Sequence, residues 1–337
     1  MKKNVLYLGN NLSSRKTNVS YMKGLTQALE REGFKVVCKS AFHNKLARIL
    51  DMVKGTLVYG YRMDNVLIDT YSTQNFYYAV VVSQLCRLLQ IPYIPILHGG
   101  NLPQRLKQNP KLSKMLFQPA KLLVSPSLYL KEAFTKQGFT KIHYIPNSLQ
   151  VQNYPFQSRP IEGIKLLWVR SFSEIYNPCL AIDILKKLQD RGYTTSLCMA
   201  GPDTDGSLEK VKAYAKTLNV TVHTPGKLTK TQWTTMAKEY NVFINTTNFD
   251  NMPVSVIEAM ALGLPIVSTN VGGMPYLIEA GVDGILVPPN NSKAFVEAIV
   301  KLKTQPEERK SMVKKAREKV ELFDWDYVKQ QWKMVLN

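Results

Sequence analysis

Two carboxylates, Asp250 and Glu258, stand eight residues apart around a predicted helix start. Pro253 suits the first turn of a helix over Val254–Leu262, and Gly263 is placed to end it. Unpaired backbone N–H groups and the helix dipole make such a start an anion site. Two acids beside it suit a ligand with hydroxyls and a diphosphate. The alternative is that Asp250 caps the helix and that Glu258, in an otherwise apolar helix, pairs with a lysine.

This segment lies between two short apolar runs, Asn241–Thr246 and Pro265–Ser268, which both read as buried strands. The same alternation extends along the chain and predicts an α/β protein with parallel sheets. The other predicted strands are Val5–Leu8, Lys35–Cys38, Val66–Asp69, Tyr93–Leu97, Leu122–Ser125, His143–Ile145, Leu166–Val169, Ser196–Ala200, Val220–His223 and Ile285–Val287. The clearest predicted helices are Val19–Arg31, Phe76–Leu89, Leu128–Gln137, Pro178–Arg191, Leu208–Leu218, Thr231–Lys238, Ser292–Lys303, Pro306–Leu322 and Asp326–Val335.

Ligands of parallel sheets bind beyond the carboxyl ends of the strands. There the sequence places His98 beside Gly99-Gly100, and Arg170 after the strand LLWV. An arginine fork suits a diphosphate, and the alternative for Arg170 is a surface salt bridge. The loop Gly9–Asn18 is polar and basic, so it suits an anionic acceptor or is simply solvated.

The Phe249–Gly273 stretch resembles the acid–x7–acid motif of family 4 glycosyltransferases, which are retaining enzymes of the GT-B fold that use nucleotide sugars. The family pattern is E-G-F-P-x-x-x-x-E-A-M-A-x-G-x-P-V followed by a strand and G-G. Asp250 replaces the first glutamate and Asn251 the glycine. The positions in register are Met252, Pro253, Glu258, Ala259, Met260, Ala261, Gly263 and Pro265.

The resemblance implies two Rossmann-like, doubly wound domains facing a cleft, with the donor on the C-terminal one. Glu258 is then expected to bind the ribose, Asp250 the sugar hydroxyls, and His98 to lie close to the transferred sugar. Asp250 and His98 are the expected catalytic residues. The expected donor-binding residues are Arg170, Met252, Pro253, Val254, Ser255, Glu258 and Gly201, the last in a strand-ending glycine turn.

The chain departs from the family in two further places. The family has a lysine about five residues after the arginine, whereas this chain has Ile175–Pro178. The family also has a glycine-rich first loop, whereas here only Gly9 remains. On the acceptor side we expect Gly9, Asn10, Arg15 and Lys16.

The net charge of +19 is unevenly distributed over the 337 residues. Residues 1–160 hold 22 Lys and Arg against 6 Asp and Glu, a net of +16, and the remainder holds 22 against 19, a net of +3. Such a field attracts anionic partners, including a lipid-linked diphosphate or an anionic membrane surface. Nucleic acid is not expected, because the lysines are dispersed and no RGG or RNP-like motif occurs. No run of about eighteen apolar residues predicts a membrane span.

The segment Leu102–Gln118 is basic and amphipathic, so it is expected either to lie on an anionic membrane or to be an ordinary surface helix pair. The predicted domains are 1–155 for the acceptor and 164–322 for the nucleotide sugar. Residues 323–337 are expected to form a terminal helix that packs back on the first domain. Cys38, Cys86, Cys179 and Cys198 show no pairing pattern, so reduced thiols are expected.

The prediction is thus a cytoplasmic glycosyltransferase, peripheral to the membrane, that needs no metal or other cofactor. It would move a hexose from a nucleotide sugar to a glycan or polyprenyl-linked acceptor with retention, in polysaccharide or glycolipid synthesis. The alternatives are a catalytically degenerate GT-B protein and a polyanion-binding module. An epimerase of the same fold is a third, against which the acid–x7–acid stretch argues.

Overall fold

The computed structural model describes residues 3–9, 21–42 and 44–337, which form two compact units. The first unit comprises residues Met1–Ser148 and Trp325–Asn337, and the second comprises Leu149–Asp324. Each contains a six-stranded sheet in which every pairing is parallel. The predicted α/β class is therefore confirmed.

In the first unit the strand order is β2-β1-β3-β4-β5-β6. The strands are β1 Asn4–Leu8, β2 Lys35–Lys39, β3 Asn65–Thr70, β4 Tyr93–Leu97, β5 Leu123–Ser125 and β6 Ile142–Tyr144. The helices are α1 Tyr21–Arg31, α2 Lys45–Tyr59, α3 Asn75–Leu88, α4 Leu102–Gln108, α5 Pro110–Phe117, α6 Leu128–Thr135 and, from the end of the chain, α14 Trp325–Leu336. Helices α2 to α6 pack on one face of this sheet, and α1 and α14 pack on the other, where α14 buries Val328 and Trp332.

In the second unit the strand order is β12-β11-β10-β7-β8-β9. The strands are β7 Ile164–Val169, β8 Thr195–Ala200, β9 His223–Gly226, β10 Val242–Asn245, β11 Ile266–Thr269 and β12 Ile285–Val287. The helices are α7 Pro178–Asp190, α8 Ser207–Thr217, α9 Lys230–Met236, α10 Val254–Ala261, α11 Met274–Leu277, α12 Ser292–Thr304 and α13 Pro306–Glu321. Two apolar cores lie on the two faces of the sheet.

Each sheet has one point at which the strand order reverses. In the first unit that point lies between β1 and β3, and in the second it lies between β7 and β10. Loops that leave neighbouring strands in opposite directions open a crevice there, which is where open parallel sheets bind ligands. Ligand-binding residues are therefore expected near the ends of these four strands.

Helix α2 was not among the predicted helices. Asn44 caps it, because its Oδ1 accepts the backbone N–H groups of Leu46 and Ala47 at 2.9 and 3.1 Å. The helix buries Met52 but leaves Leu46 exposed, so its apolar residues do not fall on one face and the periodicity is weak. The helical structure of this segment therefore depends on tertiary packing and not on a local hydrophobic pattern.

The strand predicted at Val220–His223 is wrong by three residues, since β9 begins at His223. The backbone N–H of Val220 instead bonds to the carbonyl of Ala215 at 3.0 Å, and Asn219 adopts a left-handed φ of 51°. This is the closing turn of α8, and the buried Val220 is its apolar contact.

The predicted amphipathic segment forms two helices, α4 and α5, that break at Asn109-Pro110. Its apolar side chains Leu102, Leu106 and Leu116 are buried in the core. The segment is therefore an ordinary helix pair, because the apolar face that a membrane would need is already used.

Candidate functional site

Arg170 and Asp250 form an ion pair at the reversal point of the second sheet. Arg170 follows β7, Asp250 follows β10, and Nη2 lies 2.7 Å from Oδ2. Their side chains are only 14% and 11% exposed, so the surface-salt-bridge interpretation of Arg170 is wrong. The Arg170 guanidinium also lies 3.9 Å from the centroid of the Tyr176 ring, which holds its plane.

The Asp250 carboxyl is not a helix cap. Its Oδ1 accepts the backbone N–H of the next residue, Asn251, at 2.9 Å, and it makes no bond to the amides of α10. Burial raises the pKa of Asp250, and the neighbouring Arg170 opposes that rise. The carboxylate therefore depends on this guanidinium to stay ionised in a buried position.

Three glycines allow the loops of this edge to touch. A Cβ on Gly201 would lie 1.7 Å from the carbonyl oxygen of Arg170. A Cβ on Gly272 would lie 2.2 Å from the carbonyl oxygen of Asp250, and one on Gly273 would lie 1.8 Å from that of Asn251. The backbone around the ion pair is therefore fixed by close approaches that only glycine permits.

Helix α10 begins beside this pair. The sequence predicts Pro253 in the first turn, but Pro253 is the N-cap residue, one position before that turn, and it makes no side-chain capping bond. Among the described residues, none accepts the backbone N–H of Val254 or Ser255, and the buried Ser255 hydroxyl has no partner there either. Met252 is buried beneath the turn. The start of α10 thus retains unused donors, as the sequence predicts for an anion site.

Glu258 lies inside α10 with its side chain 3% exposed. The Tyr154 hydroxyl donates to its Oε1 at 2.7 Å, and the ammonium of Lys230 pairs with the same oxygen. Burial, then the charge of Glu258, raises the pKa of Tyr154, so the phenol stays protonated and donates. The alternative in which Glu258 pairs with a lysine is therefore correct for this structure. Lys230 is 62% exposed, so a ligand can reach this side of the pair.

The far end of α10 is fixed as well. Gly263 has a left-handed φ of 75°, as predicted for the residue that ends the helix. Arg159 donates to the carbonyl of Leu262 at 2.9 Å, and Arg317 donates to that of Ala261 at 2.7 Å. Two guanidinium groups at the negative end of a helix are favourable and leave its start free for anions.

The first unit has its own polar cluster at the reversal point. His98 follows β4, and its Nε2 lies 2.8 Å from Oδ1 of Asp69, which accepts the Tyr7 hydroxyl at the same distance. The Tyr71 ring stacks on His98 at 5.2 Å, and the Tyr21 ring meets it edge-on at 5.0 Å. The imidazole orientation is therefore set from three sides.

Burial and the charge of Asp69 raise the pKa values of the phenols Tyr7, Tyr21 and Tyr71. Gly9 follows β1 and lies against this carboxylate, because a Cβ there would lie 2.2 Å from Oδ2 of Asp69. The other predicted acceptor residues, Asn10, Arg15 and Lys16, lie outside the described residues.

The lysine that the family 4 resemblance implies after Arg170 has no counterpart in the loop after β7. Residues Glu174–Tyr176 form a single 3₁₀ turn, and Asn177 follows with a left-handed φ of 46°. Lys210 of α8 reaches this turn, where it pairs with Glu174. Tyr176 therefore contacts Arg170 in the loop where the resemblance implies a lysine.

The sequence analysis did not identify four residues that take part in the two clusters. Asp69 and Tyr7 belong to the cluster around His98, and Tyr154 and Lys230 contact Glu258. Asp69 carried a usable signal, because a carboxylate ends the otherwise apolar strand VLIDT just as Glu258 interrupts an apolar helix. Tyr154 and Lys230 had none, since each meets Glu258 only through the fold. The described part of the chain contains no group of three or more His, Cys, Asp or Glu side chains that could hold a metal ion. Its four cysteines are free thiols.

Two parallel six-stranded sheets, each with one reversal point, define an α/β protein with a fold of the GT-B type. Solved structures with this fold support that class. HepE of Anabaena, in complex with UDP and glucose, has a TM-score of 0.77 at 16% identity and covers 99% of each chain. Sucrose-phosphate synthase of Thermosynechococcus elongatus has a TM-score of 0.81 at 16% identity over 99% of this chain and 98% of that one.

The family model described as glycosyl transferases group 1 matches residues 152–319. This segment is nearly the whole second unit, which therefore resembles a group 1 glycosyl transferase domain. WcaL of Escherichia coli (strain K12), named for colanic acid biosynthesis, is 26% identical over 67% of this chain and 59% of its own length. The amylovoran biosynthesis glycosyltransferase AmsK of Erwinia amylovora is 24% identical over 70% of this chain and 61% of its own.

The chain thus spans about three fifths of the length of these curated relatives. No helix in the described residues is both long and apolar enough to cross a membrane.

Proposed function

We propose that this protein is a glycosyltransferase that moves a hexose from a nucleotide-diphosphate sugar to a glycan or a polyprenyl-linked acceptor, with retention of configuration. The observation that carries the proposal is the arrangement at the start of α10. A guanidinium held by Asp250 lies at the reversal point, two unused backbone amides lie at the start of α10, and the carboxylate of Glu258 follows one turn later in the same helix. That set matches the parts of a nucleotide sugar, namely a diphosphate flanked by hydroxyls.

In the proposed reaction Arg170 and the amides of Val254 and Ser255 neutralise the leaving diphosphate. Charge that develops on the leaving group is stabilised by fixed donors, which is the largest effect that such a site offers. Glu258 accepts the ribose hydroxyls after Lys230 shifts aside, Asp250 accepts a sugar hydroxyl, and His98 contacts the transferred sugar. No metal or other cofactor is invoked.

The names of the relatives support a biological setting. Colanic acid and amylovoran are named as the products to which WcaL and AmsK contribute. HepE is described in complex with UDP and with UDP-glucose. We therefore propose synthesis of a polysaccharide or glycolipid from a UDP-sugar, carried out in the cytoplasm at the membrane surface.

The deciding experiment measures binding of UDP-glucose and related nucleotide sugars by calorimetry to the wild type and to Glu258→Gln. The substitution keeps the size of the side chain but removes the charge that binds hydroxyls, so affinity should fall at least tenfold. Equal affinity of the two proteins would overturn the donor assignment. Lys230→Met is the matched control, since it removes the internal partner of Glu258 and should leave or improve donor binding.

The variant Asp250→Ala distinguishes recognition of the sugar from recognition of the nucleotide. Transfer should fall while binding of free UDP persists, because Asp250 is assigned to the sugar. Equal loss of both would show that Asp250 acts only by holding Arg170. Measuring transfer and UDP affinity on one protein preparation distinguishes these outcomes.

A second candidate is a GT-B protein that binds a ligand without transferring sugar. It is favoured by one observation, since both acids of the motif are already paired with cations of the chain. Slow hydrolysis of a bound nucleotide sugar would support the enzyme. Binding without hydrolysis or transfer, across a panel of donors, would support the degenerate protein.

A further inference from the structure

Helix α2 exposes a row of large apolar side chains on its outer face. Leu46, Leu50 and Leu57 are 74%, 67% and 53% exposed. At about 100° per residue these positions project within roughly 40° of one another, so they form one continuous row. The opposite side of α2 is already buried through Met52. The row is therefore additional to the core-facing side of the helix.

Helix α3 repeats the same spacing. Tyr77, Val81 and Leu88 are 44%, 48% and 79% exposed and also stand at positions i, i+4 and i+11. Helices α2 and α3 pack side by side on one face of the first sheet. The two rows therefore lie on the outer side of one layer. Single exposed apolar residues are ordinary, but two neighbouring rows form a patch that marks a binding surface.

Cations surround these rows. The exposed cations on the helices of this layer are Lys45, Lys54, Arg87, Lys107, Lys111, Lys114 and Lys131. None of the six lysines among them forms a salt bridge with a described residue. The chain has no Asp or Glu between Asp69 and Glu132. The acids Asp51 and Asp64, which precede Asp69, already pair with lysines.

We propose that the outer faces of α2 and α3, together with the lysines of α4 and α5, dock on an anionic lipid bilayer. We call this surface the α2–α3 face. Leucine and tyrosine side chains enter the boundary between headgroups and acyl chains, and the lysines contact the anionic headgroups. The surface differs from the predicted one, because α4 and α5 supply charge and the apolar contact comes from two helices that the sequence analysis did not assign to a membrane.

Charge selects the bilayer over other partners. A second copy of this chain would bring the same uncompensated lysines against one another, which opposes association. A polyanion such as RNA would use the lysines but would gain nothing from exposed leucines. An anionic membrane uses both, because it offers negative headgroups above an apolar layer.

The proposal deepens the membrane part of the proposed function, but it can be tested without donor or acceptor. The full chain is sedimented with vesicles of phosphatidylcholine and phosphatidylglycerol in equal parts, and with vesicles of phosphatidylcholine alone. We expect binding only to the first, weakened by added salt. The triple variant Leu46→Ser, Leu50→Ser, Leu57→Ser should lower the partition at least tenfold.

Tyr327 and Met334 provide the matched control. They are 61% and 72% exposed on α14, which packs on the other face of the first sheet. Replacing both with serine removes a comparable exposed apolar surface and should leave vesicle binding unchanged. The variant Lys107→Gln, Lys111→Gln, Lys114→Gln should bind several-fold more weakly and lose most of the salt dependence.

Three results would overturn the proposal. They are unchanged vesicle binding by the triple leucine variant, equal binding to neutral vesicles, and a dimer of the wild type that the leucine variant alone disrupts. Should the leucine variant melt early, Tyr77→Ser with Val81→Ser tests the same surface from α3. Failure here would leave the proposed sugar transfer standing, because nucleotide-sugar affinity is measured separately and without membranes.

Discussion

The two sheets place a buried aspartate at the same topological position but give it different partners. In the first unit Asp69, at the end of β3, is held by a phenol and an imidazole. In the second unit Asp250, after β10, is held by a guanidinium. A guanidinium carries its charge at every physiological pH, whereas Tyr7 and His98 can each donate a hydrogen bond while neutral. The permanently charged partner of a buried aspartate therefore belongs to the second unit.

The glycines at these edges differ in the same way. Gly201 approaches the backbone of Arg170, so the loops themselves are locked in the second unit. Gly9 approaches the side chain of Asp69, so the close contact in the first unit joins a backbone to a side chain. The edge of the second unit therefore fixes the backbone that carries Arg170, whereas the edge of the first unit positions the side chain of Asp69.

The largest effect is expected from Gly201→Ala. The new Cβ would meet a carbonyl oxygen at 1.7 Å with φ at 155°, so the free energy of unfolding should fall by roughly 3 kcal/mol or more. Gly192→Ala is the control, since Gly192 also has a positive φ but open space around it, and should cost about 1 kcal/mol. Urea denaturation measures both. Gly9→Ala should fall between them, and a larger loss there than at Gly201 would contradict the comparison.

Arg170→Met is expected next in size. It leaves the carboxyl of Asp250 buried without its cation, which should cost about 3 kcal/mol, and affinity for UDP should fall about a hundredfold. Because burial already raises the pKa of Asp250 and the opposing charge is gone, the native state of the variant holds its proton more tightly than the unfolded chain. Stability of the variant should therefore fall as pH rises above the ordinary aspartate value near 3.8.

Arg170→Lys is the matched control for that variant. It keeps the charge but loses the flat fork that stacks on Tyr176, so UDP affinity should be intermediate. Melting curves over pH and calorimetry with UDP measure the two effects. A variant Arg170→Met whose stability rises with pH would contradict the assigned pairing.

In the first unit we expect a smaller effect from Asp69. The change Asp69→Asn keeps an acceptor for Tyr7 and should cost about 1 kcal/mol, whereas Asp69→Ala leaves buried donors unpaired and should cost about 2 to 3 kcal/mol. The pKa of Tyr7 should fall in both, because the charge of Asp69 raises it. Spectrophotometric titration measures that change, with Tyr7→Phe to assign the signal. An unaltered tyrosine titration would show that Asp69 does not act on this cluster.

The smallest expected effect is that of Asp205→Asn, which tests the loop after Arg170 without touching the ion pair. Four hydrogen bonds lower the pKa of Asp205 to about 2, and the bond from the Ser207 hydroxyl has the largest effect. The other three donors are the backbone N–H groups of Glu174 and Ser207 and the Ser173 hydroxyl. Because the pKa of Asp205 is lower in the native state, the ionised side chain stabilises the fold at pH values above the unfolded pKa near 3.8. This stabilisation is lost as the pH falls towards 2. The side chain is exposed, so the loss near neutral pH should be about 1 kcal/mol or less. Melting temperatures of the two proteins should converge at low pH, and a gap that widens there would refute the assignment.

The sequence by itself determined the local structure of the second unit's site. The strands around the motif, the start of α10 after Pro253, its end at Gly263 and the glycine turn follow from residue type and spacing over a few neighbours. The α/β class and most element positions follow for the same reason, because hydrophobic periodicity is a local property.

Only the tertiary structure decided which groups meet. Asp69 reaches His98 across 29 residues, and Arg170 reaches Asp250 across the reversal point, because strands adjacent in a parallel sheet are distant in the chain. Lys230 and Tyr154 meet Glu258 for the same reason, so the sequence left its alternatives open. The apolar rows of α2 and α3 can be identified only from the structure, because it shows which sides of the two helices are buried against the sheet and which remain exposed. Residue type and spacing can predict a helix start, whereas the partner of a buried charge depends on the order of the strands.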